Sequence, residues 1–231
     1  IGFTGGEPFM APEMIGMLEE TLRRGHSVLV LTNGMRPMMR PKVQDGLLRL
    51  AADHPGKLRL RVSLDHYAAE MHDEERGLGS FAGAMEGLRW IASVGLPVAI
   101  AGRTVWGEPE AQSRAGYAAL IKDLGLAIDV DDPSQLVLFP EMKVDDEPPE
   151  ISEACWGILN KSPNDIMCAN QRMVVKRRGA KKASVLACTL LPYDRRFDLG
   201  ESLAEATANP VPLNHKYCAS FCVLGGGNCS A

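Results

Sequence analysis

The sequence predicts an α/β protein, a parallel barrel or partial barrel followed by a small cysteine-rich domain. Three observations lead there. Strand-like runs rich in Val, Leu and Ile alternate with helical stretches from residue 1 to about residue 141. Small, polar or ionisable residues stand at the end of each run, and all six cysteines fall after the alternation has stopped. Strands that are nearly continuous in aliphatic residues are buried on both faces, and the helices between them are long enough to be right-handed crossovers. With 231 residues, 45% of them hydrophobic and 23% charged, the chain can bury one large core, or a core and a satellite.

Taken in order, "IGFT" reads as the end of a buried strand, Gly5-Gly6 as a turn permissive of positive φ, and "APEMIGMLEETLRRG" as a helix. Then come strand "HSVLVLTNG", helix "PKVQDGLLRLAADH", strand "KLRLRVSLDH", helix "SFAGAMEGLRWIASVG", strand "LPVAIAGRTV", helix "EAQSRAGYAALIKDLG" and strand "SQLVLFPEMKV". The pattern breaks at "VDDEPPEISEA", rich in proline and acid, which sets the expected domains at 1–145 and 146–231. The basic stretch "KRRGAKK", 176 to 182, centres on Gly179 and is expected to be a solvated hairpin tip. A formal charge of −4 offers nucleic acid no general attraction. No apolar run approaches the ~20 residues that span a bilayer, and no basic-then-apolar leader precedes the first strand. A soluble, cytoplasmic protein with neither nucleic-acid nor membrane partner is the expectation.

In parallel α/β folds chemistry gathers at the carboxyl ends of the strands. Those ends carry Gly5, Gly6, Glu7 and Pro8; Thr32, Asn33 and Gly34; Ser63, Asp65 and His66; Gly102, Arg103 and Thr104; and Phe139, Pro140 and Glu141. Glycine lets a ligand approach the backbone, the Glu7 carboxylate can accept from an ammonium, and Ser63 with Asp65 can hold ribose hydroxyls. Each tripeptide alone is an ordinary turn or cap; their recurrence at successive strand ends is the signal. His66 and Tyr67 are wall, cap or substrate contacts. His26, His54 and His72 sit in polar helix-end contexts and require no function. The Met-rich "MRPMMRP" suits a cavity lining or a loop.

These residues resemble the radical S-adenosylmethionine (SAM) superfamily. "GFTGGEPFM" is similar to its GGE motif, "LTNG" to its third-strand end, and "VSLDHYAAEMHDEERGLGSFAGAMEGL" to its fourth strand and the RG-x-x-x-F segment beyond, a match running through most of residues 1 to 141. The resemblance implies a partial (β/α)6 TIM-like barrel, open on one side and lacking its first strand. It implies that Glu7 with the Gly5, Gly6 and Pro8 backbone binds the SAM amino group, that Thr32, Asn33, Ser63 and Asp65 lie around SAM, and that Arg103 or Arg76 meets its carboxylate. The family's C-x3-C-x2-C loop, which holds the four-iron, four-sulfur cluster that cleaves SAM, is missing from the sequence. The expectation is that it lies upstream of Ile1, so that these 231 residues by themselves cannot generate the 5′-deoxyadenosyl radical.

The six cysteines are Cys155, Cys168, Cys188, Cys218, Cys222 and Cys229. In a chain without a leader, metal or cluster ligation is favoured over disulfides. Cys168 and Cys188 flank a hairpin expected to turn at Gly179, and Cys218, Cys222 and Cys229 bracket a glycine-rich tail. A structural zinc site would want two C-x2-C-like pairs, and only the C-x3-C of Cys218 and Cys222 approaches one. The arrangement resembles the auxiliary-cluster domains (SPASM or twitch) of radical SAM enzymes, including the "DLGESLAEA" helix between the two cysteine groups. That implies one auxiliary 4Fe-4S cluster held by four of Cys168, Cys188, Cys218, Cys222 and Cys229. Cys155, in "EACWGIL", reads as a buried packing thiol, and His215 as a surface or supporting residue. The function implied is an oxidoreductase-like radical SAM enzyme. It would abstract hydrogen from a substrate, a peptide or protein side chain, with Glu141 as a conceivable base and a flavodoxin or ferredoxin as electron donor. The alternative is a non-catalytic SAM-binding or Fe-S scaffold.

Overall fold

A computed structural model describes residues 1–142, 145 and 147–225. It divides into two units, Ile1–Leu138 and Phe139–Ala231.

The first unit is built on strands β1 (Gly2–Phe3), β2 (Val28–Thr32), β3 (Leu58–Ser63), β4 (Val98–Arg103) and β5 (Leu136–Phe139), which lie side by side in chain order. The pairs β1/β2, β2/β3 and β3/β4 are parallel, with Phe3 opposite Val30, Thr32 opposite Val62 and Ser63 opposite Ala101. A parallel sheet wound in one direction is the arrangement of a partial (β/α) barrel, as the sequence predicts. Between the strands run α1 (Met14–Arg23), α2 (Pro41–Asp53), α3 (Ala69–Arg76), α4 (Ser80–Val94) and α5 (Glu110–Leu124).

Burial explains why these segments take these forms. Val28, Val30, Leu58, Leu60, Val62, Ala99 and Ile100 are buried along the strands. Against them the helices set Leu18 and Leu22, Leu47 and Leu50, Leu88 and Ile91, and Tyr117 and Ile121, pairs spaced by three or four residues. At about 1.5–3 kcal/mol for each fully buried aliphatic side chain, this face holds the unit together. Gly95 and Gly125 end α4 and α5 in the left-handed conformation, with φ of +66° and +67°.

Helix α3 stands where the sequence pattern predicts none. Of its eight residues only His72 is buried, so it carries no apolar periodicity to see. Asp73 of α3 caps the following helix from outside: Oδ1 accepts from Phe81 N at 2.8 Å and Oδ2 from Gly79 N at 2.7 Å.

In the second unit β6 (Met173–Val175) and β7 (Ser184–Leu186) form the expected antiparallel hairpin. Gly179 lies in its turn at φ +78°, and Lys176, Arg178, Lys181 and Lys182 are exposed. A small core gathers Ala187, Leu191, Phe197 and Cys218. Helix α6 (Ala154–Ile158) and helix α7 (Met167–Asn170) precede the hairpin, and α8 (Leu203–Thr207) follows it, capped by Ser202 Oγ, which accepts from Glu205 N at 3.2 Å. A π-helical segment, Cys218–Leu224, ends the described chain apart from Gly225. Cys155 departs from expectation: it is half-buried and belongs to no core. A five-residue α6 whose Ile158 is 79% exposed cannot present a buried stripe. Among the described residues no helix is long and apolar enough to cross a membrane.

Candidate functional site

The site begins at the first strand end. Gly5 and Gly6 take φ of +103° and +57°, conformations costly for any residue with a Cβ, and turn the chain so that Glu7 caps the short 3-10 turn Pro8–Met10. The Glu7 carboxylate then gathers the neighbouring strand end. Oε1 accepts from Phe9 N at 3.1 Å, Oε2 from Asn33 N at 2.8 Å, and the Thr32 hydroxyl lies 2.9 and 3.0 Å from the two oxygens. The parallel register of β1 on β2 makes this pairing possible. A carboxylate has about four acceptor positions, so three donors orient it and leave one position over.

Thr32, 2% exposed, also accepts from Gly34 N at 3.1 Å, and Asn33 Oδ1 accepts from Met35 N at 2.9 Å. A cavity of about 380 Å³ opens beyond, lined by Asn33, Met35, Ser63, His72, Arg76 and the Gly77–Ser80 turn. Its walls are the ends of β2 and β3, the last turn of α3 and the start of α4. Volumes of 300–1,000 Å³ are those of small-molecule sites.

Asp65, 4% exposed, is occupied by Arg76: Nε donates to Oδ2 and Nη2 to Oδ1, both at 2.8 Å. A bidentate pair of this kind is among the stronger charge-assisted contacts. The guanidinium takes two of the carboxylate's four or so acceptor positions, and Asp65 itself is not among the residues lining the cavity. Asp65 instead fixes Arg76 in the cavity wall. Arg103 does not line the cavity; its guanidinium is taken by Glu75, while its backbone N–H donates to the Asp65 carbonyl at 3.0 Å. Of the two arginines it is Arg76 that the fold brings to Asn33 and Ser63.

His72 is the residue that sequence reasoning passed over. It is 1% exposed, in the cavity wall, with Nδ1 accepting from Asp65 N at 3.0 Å. Burial holds its imidazole below the usual pKa, and the nearby Asp65 charge does not reverse this. The i, i+4 spacing of His72 and Arg76, which puts both on one helix face, was the available signal. His66 and Tyr67 do not line the cavity; with Ser113 they are bonded to Glu108 at 3.1, 3.0 and 2.7 Å. Burial alone would raise the Glu108 pKa, but these bonds and His66 hold it below its usual value.

In the second unit, Cys168, Cys188 and Cys218 lie close enough to act on one another's ionisation. Burial, reinforced by Cys188 and Cys218, pushes the Cys168 thiol up to about 11, and burial with Cys188 raises Cys218. No three His, Cys, Asp or Glu side chains among the described residues stand close enough to chelate a single metal ion. Cys222 is half-buried on the same π-helical segment as Cys218. Cys229 lies outside the described residues. Glu141 belongs to the second unit and is half-buried. His215 Nδ1 accepts from Tyr217 N at 3.1 Å, a supporting contact beside Cys218.

Residues 1–111 match the profile of the Radical SAM superfamily. Among solved structures, native anSMEcpe with bound AdoMet is similar at 16% identity and a TM-score of 0.58, over 90% of this chain and 66% of that one. The same values describe native anSMEcpe with bound AdoMet and Kp18Cys peptide. Streptococcus suis SuiB is similar at 12% identity and a TM-score of 0.50, over 69% of this chain and 34% of that one. At such identities the likeness is one of fold, and the chain spans about a third of the SuiB chain and about two thirds of the anSMEcpe chain. No curated protein sequence matches it.

Proposed function

We propose, from the match of residues 1–111 to the Radical SAM superfamily profile, that the cavity at the ends of β2 and β3 binds SAM and that the chain serves SAM-dependent radical chemistry on a peptide or protein side chain. The observation that carries this reading is the Glu7 carboxylate, oriented by Phe9 N, Thr32 and Asn33 N; Glu7 does not itself line the 380 Å³ cavity, but its bonded neighbour Asn33 does. The carboxylate's remaining acceptor position suits an ammonium group. Asn33 and Ser63 offer polar contacts in the wall, and Arg76, braced by Asp65, offers a cation for a carboxylate.

In this superfamily a reduced four-iron, four-sulfur cluster supplies the electron that cleaves SAM. The first unit has no cysteine among its residues and so does not fit that cluster. What its residues do is bind and orient. In the second unit, four of Cys168, Cys188, Cys218, Cys222 and Cys229 are proposed to hold an auxiliary cluster. The nearness of Cys168, Cys188 and Cys218, close enough to act on one another's ionisation, supports this reading. The peptide or protein substrate is a proposal supported by the fold shared with anSMEcpe, whose structure holds a peptide.

The test is calorimetric titration of SAM into wild type and Glu7→Ala. A charge-assisted hydrogen bond contributes about 1.5–3 kcal/mol, so Glu7→Ala should bind at least about tenfold more weakly. Equal affinity would remove Glu7 from the site and with it this reading.

A further inference from the structure

Among the described residues lining the cavity, His72 is the buried titratable side chain that the SAM contacts above do not use. Its ring packs edge-on against Phe81, with centroids 5.8 Å apart, and its Nδ1 accepts the Asp65 backbone N–H. A ring nitrogen that accepts carries no proton, so the neutral imidazole has its proton on Nε2. Nε2 has no hydrogen-bond partner among the described residues, and it belongs to a ring that lines the cavity. An N–H held in so confined a place costs free energy unless something accepts from it.

One helical turn on, Arg76 spends Nε and one Nη2 hydrogen on Asp65. Of the five guanidinium hydrogens three remain. The face of α3 thus brings an imidazole N–H and a guanidinium to one cavity, both braced by Asp65, the first through its backbone N–H and the second through its carboxylate.

We propose that His72 is a ligand-binding residue: its Nε2–H, beside Arg76, donates to an oxygen of bound SAM, either the carboxylate or a ribose hydroxyl. This rests on the SAM reading of the cavity. Nδ1 meanwhile pins the chain at Asp65, so one ring couples the β3 end to the ligand.

The experiment uses the full chain labelled with ¹⁵N-histidine, whose imidazole resonances report both tautomer and contact at weak affinity. The ligands are SAM and 5′-methylthioadenosine, which keeps the ribose but lacks the carboxylate. In the free protein His72 should be the Nε2–H tautomer, and its Nε2 resonance should shift on titration. In His72→Asn, Oδ1 can stand for Nδ1 and keep the Asp65 bond while the cavity donor is lost; in His72→Gln, the amide can stand for Nε2–H. His72→Asn should keep the wild-type melting temperature and bind SAM about three- to tenfold more weakly, the loss of one hydrogen bond, and His72→Gln should recover part of it. A loss seen with SAM alone identifies the carboxylate, and a loss with both ligands identifies the ribose; either supports the proposal. Wild-type affinity of His72→Asn for both ligands, or an Nε2 resonance indifferent to saturating SAM, overturns it while the SAM reading stands. A wild type that responds to neither ligand overturns both.

Discussion

Replacing Gly87 by Ala sets local propensity against tertiary packing on helix α4. Alanine in a helix interior is favoured over glycine by about 1 kcal/mol, so the helix alone would gain. A Cβ at Gly87, however, would stand 1.9 Å from the Gly34 carbonyl oxygen, 2.9 Å from its carbon and 3.0 Å from Met38 Cε. Ordinary carbon–oxygen contacts begin near 3.3 Å, so α4 and the β2 end must part by about 1.4 Å. Gly34 cannot simply retreat, because Asn33 N is bonded to Glu7 and Gly34 N to Thr32. Overpacking costs about 1–3 kcal/mol, at the upper end when backbone is struck; less the propensity gain, Gly87→Ala should destabilise by about 2 kcal/mol. For a chain of this size that is about 4–8 °C in melting temperature. Gly83→Ala on the same helix is the control: its Cβ meets Met35 Cε at 2.9 Å, the mobile end of a side chain that can swing aside. That variant should melt at or slightly above the wild-type temperature. Thermal unfolding followed by circular dichroism compares them, and a Gly87→Ala protein as stable as Gly83→Ala would refute the close approach of α4 to Gly34.

Two further outcomes concern Asp73 and the cysteines. The Asp73 carboxyl is held below its usual pKa by the backbone N–H groups of Phe81 and Gly79, with Ser80 adding to them. Its folded-state pKa is therefore lower than its unfolded one. The stability it contributes is present above the unfolded value and is lost as pH falls through the folded one. The melting temperature of Asp73→Asn should lie below wild type at pH 7, with the gap closing as pH is lowered from about 5; a gap constant with pH would refute this. Anaerobic reconstitution with iron and sulfide should load about four irons per chain, far fewer in Cys222→Ala, and the wild-type amount in Cys155→Ala. Iron content measured by colorimetric assay decides it, and equal loading of all three proteins would remove Cys222 from the ligands.

Much of the barrel was legible because its strands are buried on both faces. "VLVLT" of β2 buries Val28, Val30 and Thr32 and keeps Leu29 and Leu31 of the other face half-buried, so its apolar run is undiluted, and Leu88 and Ile91 of α4 repeat at the helical period. Helix α3 was not, since "AEMHDEER" buries one histidine and otherwise faces solvent or pairs with charge. His72 was set aside for the same reason: in sequence it stands among Glu and Asp, and only folding encloses it beneath Phe81. Cys155 erred the other way, as its apolar neighbours belong to a helix too short to bury them.

What the sequence determined by itself is the alternation of strand and helix, the polar residues at the strand ends, and the confinement of cysteine to the second unit; all three follow from local pattern and composition. What only the tertiary structure decided is which of those residues meet. Glu7 reaches Asn33 because Phe3 pairs with Val30, and Arg76 rather than Arg103 lines the cavity because α3 gives its Arg76 to Asp65 and its Glu75 to Arg103. A carboxylate or guanidinium in sequence carries its charge but not its partner. The partner is chosen by strand register and helix packing, which bring together residues 26 or 28 apart in the chain.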